Sequence, residues 1–303
     1  MQTAALIVNG KSRRGRDWFR LADAELRELG LNLVESHLVR RPEALSARVS
    51  GAIGKGIPLV CVGGGDGTLS AVAGEFVGRE SILGIIPAGT GNAFARDLGI
   101  PTNIRDSAKL VVEGIPEPVD LGQVDGRCFV NLATVGLSTL IAENLDAGAK
   151  RRFGRVAYLG ALFKAVSKGK RFDAKIQLPD EELAFRSIQI VIGNGRYHAG
   201  PFPVTPEAGI QTGKLAGYSV NSSRKGVLIR YALRLWLGRH VDMDEVVPFS
   251  APDITVATTP IRRITVDGET KLQTPGRFRS LPGAIRVMVA PRETGPDGTL
   301  HSR

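Results

Sequence analysis

Asp66 is the first residue whose surroundings suggest chemistry. It sits in Val60-Cys61-Val62-Gly63-Gly64-Gly65-Asp66-Gly67-Thr68-Leu69, an apolar run that meets three glycines, a carboxylate, a further glycine and a hydroxyl. Glycines let backbone N–H groups come close to an anion, and the positive end of a following helix adds to them, so the segment suits a phosphate. Gly89-Thr90-Gly91-Asn92 follows a second apolar stretch, Ile82 to Pro87. A single Asp-Gly is an ordinary turn. Two glycine-rich turns, each leaving an apolar run, could hold a phosphate chain across both. Asp267 read alone is the corner of a hairpin, because Asp-Gly follows the alternating Ile264-Thr265-Val266.

Other signatures fail. Gly10-Lys11-Ser12 after a strand looks like the end of a P-loop, but that pattern needs a glycine where Ala5 stands. It reads as a polar turn that leaves Asn9 and Ser12 at the same sheet edge as Gly63. The central glycines do not fall as G-x-G-x-x-G, and no acid marks a second strand, so a dinucleotide fingerprint is excluded. His37, His198, His240 and His301 are scattered without ligand spacing. The two cysteines, Cys61 and Cys128, form neither a disulfide framework nor a metal pattern, which fits a reducing cytoplasm.

The elements that must carry these turns alternate. Ala4 to Asn9 reads as a strand, Asp17 to Leu29 as an amphipathic helix closed by Gly30, and Leu31 to Val39 as extended. Pro42 to Ile53 returns to helix, Ile57 to Val62 is a buried strand, Leu69 to Phe76 a helix, Ile82 to Pro87 a strand and Ala93 to Leu98 a short helix. That order predicts a Rossmann-like α/β domain over residues 1–119, a parallel sheet with right-handed crossovers and both glycine turns at its carboxyl edge. From Val119 the texture changes to short β-rich runs, namely Asp120 to Val124, Arg127 to Thr134, Ala174 to Leu178, Ala184 to Gly193, Lys214 to Val220, Asp253 to Ala257, Arg262 to Val266 and Ala284 to Val289. They predict an antiparallel β-sandwich over 120–290, interrupted by helical segments Arg155 to Ser167 and Gly226 to Leu237, with 291–303 a loose tail.

Composition narrows the partners. A chain of 303 residues with 43% hydrophobic and 23% charged residues is expected to form two soluble domains, and no apolar run approaches the roughly 20 residues needed to span a bilayer. Met1 to Val8 lacks a basic n-region and a small-residue cleavage site, so a cytoplasmic location is expected. A net charge of +10 and a pI near 9.9 call for an anionic partner. With 6% aromatic residues and no basic stripe interleaved with stacking aromatics, nucleic acid is excluded as that partner, leaving a membrane surface or a phosphorylated small molecule.

The pair of motifs, Gly64-Gly65-Asp66-Gly67-Thr68 and Pro87-Ala88-Gly89-Thr90-Gly91-Asn92 followed by Phe94-Ala95-Arg96, resembles the diacylglycerol kinase catalytic domain shared by bacterial lipid kinases, sphingosine kinases and ceramide kinases. The resemblance continues in Leu6-Ile7-Val8-Asn9-Gly10-Lys11-Ser12, in Phe129-Val130-Asn131 after Asp120-Leu121-Gly122, in Gly193-Asn194-Gly195 and in Val266-Asp267-Gly268-Glu269. It implies a lipid kinase that transfers the γ-phosphate of ATP directly to a hydroxyl of a membrane lipid, diacylglycerol-like or sphingoid. ATP would lie across the sheet edge on Asn9, Gly64, Gly65, Asp66, Gly67, Thr68, Leu69, Ser70, Gly89, Thr90, Gly91 and Asn92. Asp66 would hold Mg²⁺ through water, and Asp267, matching the Asp of the family's DGE triplet, would take the proton of the acceptor hydroxyl.

The chain departs from the family pattern in places. Ala93 stands where members often carry Asp, Ser70-Ala71 where they often carry Asn-Glu, and the apolar Leu38 near where relatives often place a nucleotide-contacting threonine. The stretch Gln211 to Ala216 lacks the acid through which many relatives bind a structural Mg²⁺. Two basic segments remain. Lys150, Arg151, Arg152, Arg155, Lys164, Lys168, Lys170 and Arg171 accompany the apolar Tyr158, Leu159, Leu162 and Phe163; Arg224, Lys225, Arg230, Arg234 and Arg239 accompany Leu228, Tyr231, Leu235 and Trp236. They read either as solvated helix faces or as peripheral docking on an anionic membrane. Because GGDGT also occurs in NAD kinases and phosphofructokinases, an NAD kinase or sugar-phosphate kinase stays open, as does a non-catalytic nucleotide- or lipid-binding protein.

Overall fold

The computed structural model describes residues 2–12, 14–137, 171–198 and 202–291. The chain divides into two compact units, residues 1–119 with 283–303, and residues 120–282. Where the sequence places a second domain over 120–290, the later part of the last long strand therefore clusters with the first unit.

The first unit follows from its alternation. Strands β1 (Thr3–Asn9), β2 (Asn32–Val39), β3 (Leu59–Gly64) and β4 (Ile82–Pro87) run parallel in the order β2-β1-β3-β4. Every residue of β3 and five of seven in β1 are buried, as expected of central parallel strands covered on both faces. Helices α1 (Gly15–Glu28), α2 (Leu45–Gly54), α3 (Asp66–Ala73), α4 (Ala93–Asp97) and α5 (Ile104–Glu113) supply the cover, α1 packing beside α5 and α2 beside α3. Helix α1 buries Trp18, Ala22 and Leu26 at helical spacing and stops at Gly30, whose φ of +90° only glycine adopts readily. The sequence reading passes over α5 altogether, although Asn103 caps it by accepting the Asp106 N–H at 2.9 Å.

The second unit takes in β5 (Ile115–Val124) from Asp120 onward, then β6 (Arg127–Phe129), β7 (Leu132–Gly136), β8 (Phe172–Gln177), β9 (Glu182–Ser187), β10 (Gln189–Gly193), a short hairpin β11 (Tyr197–His198) with β12 (Phe202–Pro203), β13 (Leu215–Val220), helix α6 (Lys225–Trp236), β14 (Val246–Ala251), β15 (Asp253–Thr259), β16 (Arg263–Val266) and β17 (Glu269–Gln273). It also takes in β18 (Gly276–Val289) as far as Pro282, and beyond that point β18 runs parallel to β4 through Val287 and Leu83. One antiparallel sheet has the order β14-β13-β10-β7-β16-β17, and a second set joins β9, β8, β15 and the start of β18. Val135, Ile190, Ile192 and Ile264 from the first share a core with Ile176, Val256 and Phe278 from the second, which is the expected sandwich. A second core, with Val191, Tyr218 and Val220, buries Leu228, Tyr231, Ala232 and Leu235 of α6. The helix expected over 155–167 and the tail from 292 lie outside the described residues.

Candidate active site

Strand β3 delivers Gly63 and Gly64 to the carboxyl edge of the parallel sheet, and α3 opens at Asp66, earlier than the apolar spacing from Leu69 suggests. Asp66, Gly67 and Thr68 thus form the first helical turn, the helix end of positive potential, where the Thr68 N–H is held by the Gly65 carbonyl at 2.8 Å. Space dictates the glycines. A Cβ on Gly64 would lie 2.4 Å from Thr68 Cβ, and one on Gly65 would lie 2.8 Å from the Cα of Gly89. The two glycine turns therefore touch backbone to backbone, which no side chain at Gly65 or Gly89 would allow.

The second turn is closed from within. Asn92 adopts the left-handed conformation with φ of +49°, is buried, accepts the Gly89 N–H through Oδ1 at 3.0 Å and donates Nδ2 to the Gly89 carbonyl at 3.2 Å. Asp66 ties the turns together, since its Oδ1 accepts the N–H of Phe94 at 3.1 Å. Thr68 is buried, and its hydroxyl accepts Asn9 Nδ2 at 2.9 Å, while Asn9 Oδ1 accepts the Lys11 N–H at 3.0 Å. Asn9, Thr68 and Asn92 thus shape the cradle, whereas Gly67 and Thr90 are exposed and Asp66, Gly65, Gly89 and Gly91 half-exposed on it. Leu69 is core, 1% exposed, and Ser70 lies half-buried one position further along α3. Cys61, directly beneath in β3, offers no nucleophile, because burial pushes its thiol up to about 12.

A magnesium ion takes one or two carboxylates and completes its shell with water and substrate oxygens. Asp66 fits that requirement. It is half-exposed, and its Oδ2 faces Gly91, where a Cβ would come within 2.9 Å and crowd the site. Among the described residues no group of three or more His, Cys, Asp or Glu could enclose a metal. In the second unit, within the Gln211 to Ala216 stretch, Gly213 donates its N–H to Asp120 Oδ2 at 2.7 Å, and the Thr212 hydroxyl lies 3.1 Å from each of the Gly209 and Lys214 carbonyl oxygens.

Asp267 occupies the β16–β17 corner with φ of +45°. Its carboxylate reaches back to the segment after β6, where Oδ2 accepts the Val130 N–H at 2.9 Å and Oδ1 accepts those of Asn131 at 3.1 Å and Leu132 at 2.9 Å. Its own N–H goes to the Leu132 carbonyl at 2.9 Å. Three donors on one carboxylate stabilise its negative charge and fix its orientation. Glu269 beside it pairs with Arg127 at 2.6 Å. Asn131 and Asn194, unmarked by sequence reasoning except as parts of motifs, complete this cluster: Asn194 Nδ2 donates to the Asp120 and Val130 carbonyls, and Asn131 Oδ1 is buried without a hydrogen-bond partner among the described residues.

Glycine turns at the carboxyl edge of a doubly covered parallel sheet, with an antiparallel sandwich in the same chain, define the class. Residues 3–124 match the diacylglycerol kinase catalytic domain, and residues 131–289 match the YegS C-terminal NAD kinase beta sandwich-like domain. A Pseudomonas aeruginosa (strain PAO1) protein named "Probable lipid kinase YegS-like" is 31% identical, covering 93% of this chain and 92% of that protein. A Mycobacterium tuberculosis (strain H37Rv) protein named "Diacylglycerol kinase" is 29% identical over 88% of each. A crystal structure of a Bacillus anthracis (strain Sterne) diacylglycerol kinase superposes with a TM-score of 0.79 over 96% of this chain and 98% of that one, at 24% identity, which speaks to the fold. The chain belongs to the diacylglycerol kinase catalytic domain family, among its YegS-like lipid kinases. No helix among the described residues is long and apolar enough to cross a membrane.

Proposed function

We propose that the protein transfers the γ-phosphate of ATP to a hydroxyl of a membrane lipid, diacylglycerol-like or sphingoid, in one direct step. The observation that carries this reading is the contact of Gly65 with Gly89 beneath the first turn of α3, with Asp66 bonded across to the Phe94 N–H. Phosphoryl transfer asks a protein chiefly for alignment and charge neutralisation. Backbone N–H groups from both turns supply the first, and the helix end the beginning of the second. Asp66 would hold Mg²⁺, which would supply the remaining neutralisation of the phosphates.

Asp267 is proposed to take the proton of the acceptor hydroxyl, from a carboxylate whose direction is fixed by the N–H groups of 130–132. The relatives named as lipid kinases favour a lipid over NAD or a sugar phosphate as acceptor. Peripheral contact with an anionic membrane follows from such a substrate and from the chain's net charge of +10. The test is incubation with labelled ATP, Mg²⁺ and a mixed lipid extract. A labelled product in the organic phase is expected; ATP binding without turnover would overturn catalysis in favour of a binding protein.

A further inference from the structure

Helix α6 presents two apolar faces, and only one has a partner among the described residues. Leu228, Tyr231, Ala232 and Leu235 are at most 3% exposed and belong to the second core of the sandwich unit. On the other face, Ile229, Leu233 and Leu237 recur at every fourth position and are 45%, 60% and 68% exposed. Isolated surface leucines need no explanation. A stripe does, and these three make up all but one of the large exposed hydrophobics of this unit among the described residues, the other being Ile261.

The borders of the stripe are basic. Arg224 and Lys225 lie exposed at the start of α6, Arg230 and Arg234 run along one side, and Arg239 is exposed just past its end. No acid occurs from Arg224 to Arg239; Asp242, Asp244 and Glu245 come only after the helix. Of the basic groups, Arg230 is bound by Glu245, with both carboxylate oxygens at 2.7 Å, and Arg234 donates to the Asp242 carbonyl at 3.1 Å. These two arginines are thereby drawn toward the protein, leaving the apolar crest outermost. Arg224, Lys225 and Arg239 have no ion pair among the described residues. An apolar crest edged by cations matches a bilayer interface, where apolar side chains enter the boundary of the acyl region and basic ones stay among anionic headgroups. A protein groove would match the apolar part equally well but would not call for unpaired cations at both ends.

We propose that the outward face of α6 is the surface by which the protein docks on anionic lipid bilayers, with Ile229, Leu233 and Leu237 inserted and Arg224, Lys225 and Arg239 on the headgroups. The inference rests on the reading of the chain as an enzyme of membrane lipids, but its test has no catalytic step. Co-sedimentation of the full chain is measured with vesicles of phosphatidylcholine alone and of phosphatidylcholine mixed with phosphatidylglycerol. The parent is expected to bind only the anionic vesicles. Ile229→Ser, Leu233→Ser and Leu237→Ser combined are expected to weaken that binding on the order of a hundredfold, since each side chain gives up transfer from water. Arg224→Glu with Lys225→Glu should weaken it and steepen no further with salt. All five positions are exposed, so unchanged circular dichroism and melting are expected in both variants. Parent protein that ignores anionic vesicles, or a serine variant that binds them as tightly as the parent, would overturn the proposal. So would a parent dimer that the serine substitutions convert to monomer, which would give the face to a second copy of the chain. If docking holds while no lipid is phosphorylated, the docking surface stands and the enzymatic reading falls.

Discussion

Replacing Asp267 by asparagine separates its two jobs. The aspartate accepts N–H groups on both oxygens, two on Oδ1 and one on Oδ2. Asparagine keeps one accepting oxygen. If that oxygen stays with Asn131 and Leu132, the new NH₂ group faces the N–H of Val130, a donor against a donor; the opposite orientation sets it against two. Val130 is fully buried, so water cannot take over. A hydrogen bond to a charged group contributes about 1.5–3 kcal/mol, and a buried donor left unmade costs about 1–3 kcal/mol. With the remaining two bonds weakened by loss of charge, Asp267→Asn should destabilise the sandwich unit by about 3–5 kcal/mol, a large share of the roughly 5–15 kcal/mol typical of a domain. Urea unfolding followed by circular dichroism should show the loss as a lower midpoint. Under conditions where the variant is folded, its phosphorylation rate per folded molecule should also fall. An unchanged midpoint would refute the hydrogen-bond reasoning, and a parental rate in folded protein would refute the proton-accepting role.

Four other substitutions test separate parts. Gly89→Ala would push a Cβ to 2.5 Å from Gly65 Cα and 2.6 Å from Asn92 Oδ1, so by titration and scanning calorimetry ATP affinity should drop at least tenfold and stability by about 1–3 kcal/mol, whereas Gly67→Ala, with nothing within 4 Å, should leave stability intact. Asp66→Ala should keep the fold, losing the Phe94 hydrogen bond to a charged group of about 1.5–3 kcal/mol, and slow turnover roughly a hundredfold in a steady-state assay. His240, buried with Nε2 donating to the Val204 carbonyl and Nδ1 without a partner among the described residues, has its pKa lowered to about 4 by desolvation. Because the unfolded chain takes up this proton near 6.5 and the folded one only near 4, stability is fully present above 6.5 and should fall by about 3 kcal/mol as pH drops between those values. His240→Phe should flatten that stretch of the stability–pH curve, and an unchanged slope would show that other groups govern it.

How much of this was legible in the sequence depended on range. The parallel sheet could be read because buried strands and amphipathic helices alternate within a few residues of one another, and Gly30 ends α1 where a left-handed residue is required. Helix α5 could not be read from apolar spacing, since Ser107 and Ala108 fill half its buried face; its signal was the Asn103–Asp106 cap. Strands β14 and β17 were also passed over, because each gains its place from a partner strand rather than from strict alternation. At the cradle, the motif marked the glycines of both turns but not the close approach of Gly65 to Gly89 across the edge of the sheet. Thr68 looked like a free hydroxyl and proves to be buried on Asn9. Apart from its place in the DGE triplet, Asp267 gave only a turn signal, because the N–H groups it binds lie 135 to 137 positions away.

The central claim is transfer of a γ-phosphate to a lipid. It is tested most directly by supplying purified protein with lipid vesicles, Mg²⁺ and ATP labelled on either the γ- or the α-phosphate, then extracting the lipids. Label from the γ-position should enter the organic phase as a phosphorylated lipid, and label from the α-position should remain in water. Absence of γ-label in any extracted lipid, with ATP bound to the protein, would contradict the account.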